Sequence, residues 1–301
     1  MLSQIFAVIS PVLVCGAIGY IWARKGHDYD SQFVSKLVFN IAAPCLVVSS
    51  ISQVQLDPAL LRQMALAAAV TMIVLLTLGF IVIKVLGHEL PVYLPSLVFP
   101  NVGNMGLPLC WFAFGDHGLA LAVAYFMVMS ILHFSVGMAI GSGDKITAAH
   151  FFKNPIMWSV AIAVALVLSA QQLPLWLANS VKLIGNMTIP LMLITLGVSL
   201  AQLKLKHWKV GLFYSTLRLL LGGATALIVV WLFDLQGMAA GVVILQGIMP
   251  VAVFNYLFAL RYDEQHGESA RGKAADQVAS MVLLSTVMAV CILPIVLGAL
   301  L

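Results

Sequence analysis

Residues 99–109 read FPNVGNMGLPL. Two prolines, two asparagines and two glycines interrupt a hydrophobic stretch that runs from about Tyr93 to Phe114. Proline removes a backbone donor and clashes with the preceding turn. In lipid an unsatisfied backbone group costs several kcal/mol, so irregular backbone survives only against protein or a water-filled cavity. The reading of this stretch turns on whether it lies in a membrane.

Composition answers that question. The chain of 301 residues is 62% hydrophobic and 9% charged, with a mean hydropathy of +1.07. A soluble domain carries roughly 25% charged residues, so this chain cannot cover a water-facing surface. The first residues, MLSQIFAVIS, lack a basic start and a cleavage site, and Met1–Ala23 reads as a retained first span. The net charge is +4 without a basic run that would hold nucleic acid. Cys15, Cys45, Cys110 and Cys291 lie in apolar segments without paired spacing. They read as buried small hydrophobes, and neither a metal site nor a cofactor is expected.

A crossing helix needs about 20 apolar residues. Ten such stretches are expected: about 2–23, 32–51, 60–83, 92–114, 118–140, 155–170, 175–201, 210–233, 237–260 and 276–300. Eleven lysines and arginines fall in the odd-numbered connections and only Arg62 on the other side. The positive-inside rule then puts the odd connections in the cytoplasm and both termini outside a cell (inner) membrane.

The chain repeats itself. Residues 36–44, KLVFNIAAP, and 182–190, KLIGNMTIP, share a K-L-x-x-N-x-x-x-P pattern and open spans 2 and 7. Five spans separate them, so the halves enter the membrane from opposite sides: 1–145 holds spans 1–5 and 146–301 holds spans 6–10. This is a 5+5 inverted repeat. Span 9, GIMPVAVFNYLF at 247–258, matches span 4 in kind, with a mid-span proline and an asparagine shortly after. Interrupted segments in corresponding halves point to a carrier's binding site.

Together SKLVFNIAAPCLVVSSI (35–51), PNVGNMGLPL (100–109) and the interrupted span 9 resemble the auxin efflux carrier family. The resemblance covers nearly the whole chain. It implies an all-α fold similar to bile-acid/sodium symporters and sodium/proton antiporters, with discontinuous helices 4 and 9 crossing near the bilayer centre. It implies a scaffold of spans 1, 2, 6 and 7, a moving core of spans 3–5 and 8–10, and a homodimer through the scaffold. Bacterial members of the family are linked to small carboxylates such as malonate and malate, plant members to auxin.

The residues themselves point the same way. A helix start carries about half a positive charge and free N–H groups, and two starts converging near the midplane suit an anion. Pro100, Asn101, Gly103, Asn104, Met105, Gly106, Pro250, Val251 and Asn255 are the substrate-binding candidates. Arg218, about eight residues into span 8, is the candidate counter-charge, with snorkelling as its structural alternative. His133, the only histidine deep in a span, is the candidate proton relay. Asn40 and Asn186 are placed on the scaffold side of the path. Lys36 and Lys182 read as snorkelling residues. All eleven acidic residues lie in connections or near span ends, which argues against a cation exchanger. Sodium or proton coupling stays open.

The expected function is alternating-access transport of a small organic anion. A membrane sensor on the same fold is the alternative. An intramembrane aspartyl protease is a remote one: Tyr29-Asp30, Gly141-Ser142-Gly143-Asp144 and Pro58-Ala59-Leu60 mimic its motifs. Their order is inverted and both aspartates fall in connections, so the chain is not expected to be an enzyme.

Overall fold

A computed structural model of the chain describes residues 2–53, 57–142, 155–169, 171–266 and 273–301. Asp144 and the boundary at 145–146 lie outside these residues, as do Lys145, Lys153 and Arg271. Among the described residues all regular structure is helical, apart from one isolated β-bridge.

Seven stretches are long and apolar enough to cross a bilayer: Leu2–Arg24, Ser31–Ser52, Pro58–Leu86, Val102–Gly141, Leu175–Gln202, Trp208–Leu232 and Ala274–Leu300. Their outer faces are apolar. Leu2, Phe6, Leu183, Leu220, Trp231 and Ile295 are 66–81% exposed, which is tolerable only where the surroundings are lipid.

In chain order, α1 is Leu2–Arg24; α2 (Ser31–Leu37) passes through a π turn at Val38–Ala42 into α3 (Ala43–Gln53); and α4 is Pro58–Leu86. After α5 (Leu90–Val98) the chain breaks, resumes as a π turn at Val102–Gly106 and continues as α6 (Leu107–Leu132). A third π turn, His133–Gly137, leads into α7 (Met138–Ser142). Then come α8 (Pro155–Ser169), α9 (Leu175–Gly185), α10 (Thr188–Gln202) and α11 (Trp208–Leu232). The last three are α12 (Gly237–Gly247), α13 (Phe254–His266) and α14 (Lys273–Leu300).

Local chemistry sets several of these boundaries. Asp30 caps α2 by accepting from the backbone N–H of Gln32 and Phe33, and Asp57 caps α4 through Ala59 with Pro58 in the first turn. Gly87 ends α4 in the left-handed region at φ 68°. The 40-residue stretch Val102–Gly141 would run ~60 Å if straight, about twice the hydrocarbon thickness. It folds back at Gly115, where φ is 65° and ψ −158°. Consequently a Cβ on Gly103 would lie 3.0 Å from Phe126 Cε2.

Helix packing uses small residues where backbones touch. On α1 a Cβ at Gly19 would collide with the Ile194 carbonyl, and on α10 a Cβ at Gly197 would collide with the Gly16 carbonyl. Association of this kind gains van der Waals contact rather than hydrophobic transfer, since lipid is as apolar as leucine.

The two KL-repeats are each irregular at their asparagine. Asn40 sits in the Val38–Ala42 π turn, and Asn186 with Met187 forms the turn between α9 and α10.

Candidate functional site

Among the described residues, the stretches 99–101 and 248–253 interrupt hydrophobic helices without a charged connection between the halves. They lie against each other. Pro100 and Val251 form an antiparallel bridge, in which Asn101 N–H donates to Pro250 O at 2.7 Å and Ala252 N–H to Phe99 O at 3.2 Å. Val251 N–H donates to Ser285 Oγ at 3.0 Å. Each break thus supplies the partners that the other lacks, which is how irregular backbone is tolerated at depth.

Asn255 completes this brace. Its Nδ2 donates to Pro95 O and Phe99 O, each at 3.1 Å. Its Oδ1 must then accept, so His133 Nε2–H donates to it at 2.9 Å. One buried side chain therefore ties the end of α5, the π turn at His133 and the start of α13. His133 also stacks on Phe99, with ring centroids 4.5 Å apart.

A cavity of about 30 Å³ opens beside the paired breaks. Pro100, Asn101, Gly103, Asn104, Ser130 and His133 are among its lining residues. The Asn101 Nδ2 amide is buried and has no hydrogen-bond partner. Gly103 and Asn104 open a helical segment, so their N–H groups have no intrahelical acceptor. Unused donors at a helix start, beside an unpartnered amide, make a site for an anionic or carbonyl oxygen. The three π turns all reach this cavity: Phe39, then Val102, Gly103 and Asn104, then His133 and Phe134 all line it. π turns are frequent at functional sites because the extra residue re-aims side chains.

Phe39, Phe134 and Phe254 meet edge to face at one end of the cavity, with centroids 5.1–5.8 Å apart. Toward the other end lies a second cavity of about 300 Å³, lined by Leu46, Ser49, Ser50, Trp111, Asp116, Leu119, Lys182, Asn186 and Ile189. The two cavities share one seam. Leu46 follows Phe39 by seven residues on one wall, and Phe126 follows Leu119 by seven on the other. That offset is two helical turns, ~10 Å.

The sequence candidates therefore separate. Pro100, Asn101, Gly103, Asn104 and His133 reach the inner cavity. Pro250 and Val251 contribute backbone to the pairing, and Asn255 supports it. Met105 is buried in the apolar core, while Gly106 gives close approach to Gln246. Asn186 lines the outer cavity. Asn40 is exposed and donates to its own helix at Lys36 O. Arg218 is wholly buried and donates from Nη2 to Gly247 O at 3.1 Å. It is not among the residues lining either cavity, and being buried it does not snorkel. Lys182, read from sequence as a snorkelling residue, faces the outer cavity. Sequence reasoning did not single out Phe39, Phe134 or Phe254; their shared apolar character carries no signal of convergence.

Apolar outer faces around a polar interior seam define a multi-pass membrane protein. A family model described as membrane transport protein matches residues 4–150 and 142–297. The chain belongs to that family, the auxin efflux carrier family whose motifs the spans carry. It is similar to an uncharacterized transporter of Methanocaldococcus jannaschii, 25% identical over 276 residues, covering 85% of this chain and 89% of the relative. A second uncharacterized transporter, from Methanothermobacter thermautotrophicus, is 24% identical over 304 residues, covering 94% of each.

Proposed function

We propose that the protein carries a small organic anion, a mono- or dicarboxylate, across the cell membrane by alternating access. The observation that carries this reading is the unpartnered Asn101 amide beside the open N–H groups of Gly103 and Asn104. A carboxylate oxygen would complete those donors. Charge-assisted bonds of this type are about twice as strong as neutral ones.

In this reading the chain crosses ten times as an inverted repeat. Spans 4 and 9 are each two half-helices, α5 with the start of α6 and α12 with α13, and they cross at the paired breaks. The inner cavity of about 30 Å³ has room for a couple of waters, at ~10–15 Å³ each, so it would widen to admit a carboxylate when the path opens. The aromatic cluster would then be the closed cytoplasmic gate, and the outer cavity with Lys182 and Asn186 the approach from outside. Support for that orientation is the excess of lysine and arginine in the odd-numbered connections.

The test is uptake of labelled malonate or malate into proteoliposomes by wild type and by Asn101→Ala with Asn104→Ala. The reading expects saturable uptake in wild type and a loss of tenfold or more in the double variant, at equal protein and unchanged monodispersity. Equal uptake by both would remove the assignment.

A further inference from the structure

Where α11 meets the end of α12, the molecule buries a charge without a counter-charge. Arg218 lies on α11 at 0% exposure. Its guanidinium makes one bond, from Nη2 to Gly247 O at the end of α12. Its Nε and Nη1 have no partner. Among the described residues no carboxylate contacts the Arg218 side chain, and Asp276, at the foot of the neighbouring helix, pairs with Lys206, twelve residues before Arg218.

A half-charge at the end of one short helix compensates a guanidinium only in part. Uncompensated buried charge costs several kcal/mol, and unpaired buried donors add to it. The surroundings hold further unused polar atoms. Both amide atoms of Gln246, the residue before Gly247, are buried and unpartnered, as is Thr225 Oγ1. The neutral Tyr125 hydroxyl, which reaches Thr71, lies within electrostatic range of the Arg218 guanidinium. Thr225 stands seven residues beyond Arg218 on α11, and so on the same face. All four side chains are 0% exposed. The backbone is opened for them by glycine: a Cβ at Gly222 would meet Arg218 Nη1, and one at Gly106 would meet Gln246.

We infer that Arg218, Gln246, Tyr125 and Thr225 form a second site, which holds a small monovalent anion of halide or formate size as a resident counter-ion. Every unused group in the cluster except Gln246 Oε1 is a donor or can rotate to donate. That composition suits an anion and no cation. The ion would lock α11 to the end of α12, and hence the break of span 9 to its support. This inference is independent of the transported substrate.

The test is thermal unfolding of the purified full-length protein in gluconate buffers at constant ionic strength, titrated with chloride, bromide or formate. A saturable rise of several degrees is expected with at least one of them. The rise should vanish in Arg218→Gln, and also in Gln246→Met and Thr225→Val, which keep the charge if the first variant does not fold. It should persist in the Asn101→Ala, Asn104→Ala double variant. A melting temperature indifferent to all three anions would overturn the proposal. So would a dependence that survives Gln246→Met and Thr225→Val but disappears in the asparagine double variant, since the anion would then sit at the inner cavity.

Discussion

At the scale of single residues, the two asparagines of the breaks divide the labour. Sequence spacing marked Asn101 and Asn255 alike, because each follows a mid-span proline. The structure separates them by what their amides already touch. Asn255 has three internal partners, whereas the Asn101 amide nitrogen has none. Asn255→Ala leaves the buried His133 ring N–H without a partner and takes one of two donors from each of the Pro95 and Phe99 carbonyls, a loss of about 2 kcal/mol. We expect a lowered melting temperature for the purified variant. Asn101→Ala removes an amide nitrogen that no group in the protein accepts from, so its melting temperature should stay near wild type while half-saturating substrate concentration rises about tenfold or more, the worth of one hydrogen bond to a charged group. A double dissociation between melting and uptake checks the division. Pairing across 150 residues of chain decides these roles, and a single sequence does not display it.

At the scale of elements, the interruptions were legible and their geometry was not. Proline and glycine announced the stops at 99–101 and 248–253, because they change which backbone groups can pair. The π turns at Val38–Ala42 and His133–Gly137 carry no such punctuation. They insert one residue into a helix without changing its composition. Lys182 is a related case: its depth from the span start is visible in sequence, whereas its place on the wall of the outer cavity is not. Close helix contact is equally a matter of register. Gly197→Val places a branched side chain against the Gly16 carbonyl, where backbone rather than a side-chain tip would have to move. Overpacking of this kind costs about 1–3 kcal/mol. The melting temperature of Gly197→Val should fall by several degrees, whereas Gly223→Ala, whose nearest neighbour would be 3.5 Å away, should leave it unchanged.

At the scale of the whole molecule, composition fixed the membrane and the KL-repeat suggested two halves. What moves against what is a property of the seam between the cavities. Under the proposed mechanism a cysteine at Asn186, in an otherwise cysteine-free protein, reacts with a membrane-impermeant maleimide from outside. Its labelling should slow when carboxylate substrate is added. A cysteine at Phe254, within the aromatic cluster, should be shielded from the same reagent. Equal labelling at both positions would mean that the cluster is not a gate. The claim on which the rest depends is that the chain exchanges a small organic anion across the bilayer through the paired breaks. Counterflow in proteoliposomes tests it most directly: unlabelled carboxylate inside, a trace of labelled carboxylate outside, and no ion gradient. The account predicts transient accumulation of label above equilibrium by wild type and its collapse in the Asn101→Ala, Asn104→Ala variant. Absence of counterflow for every small carboxylate tried, or counterflow undiminished in that variant, would contradict it.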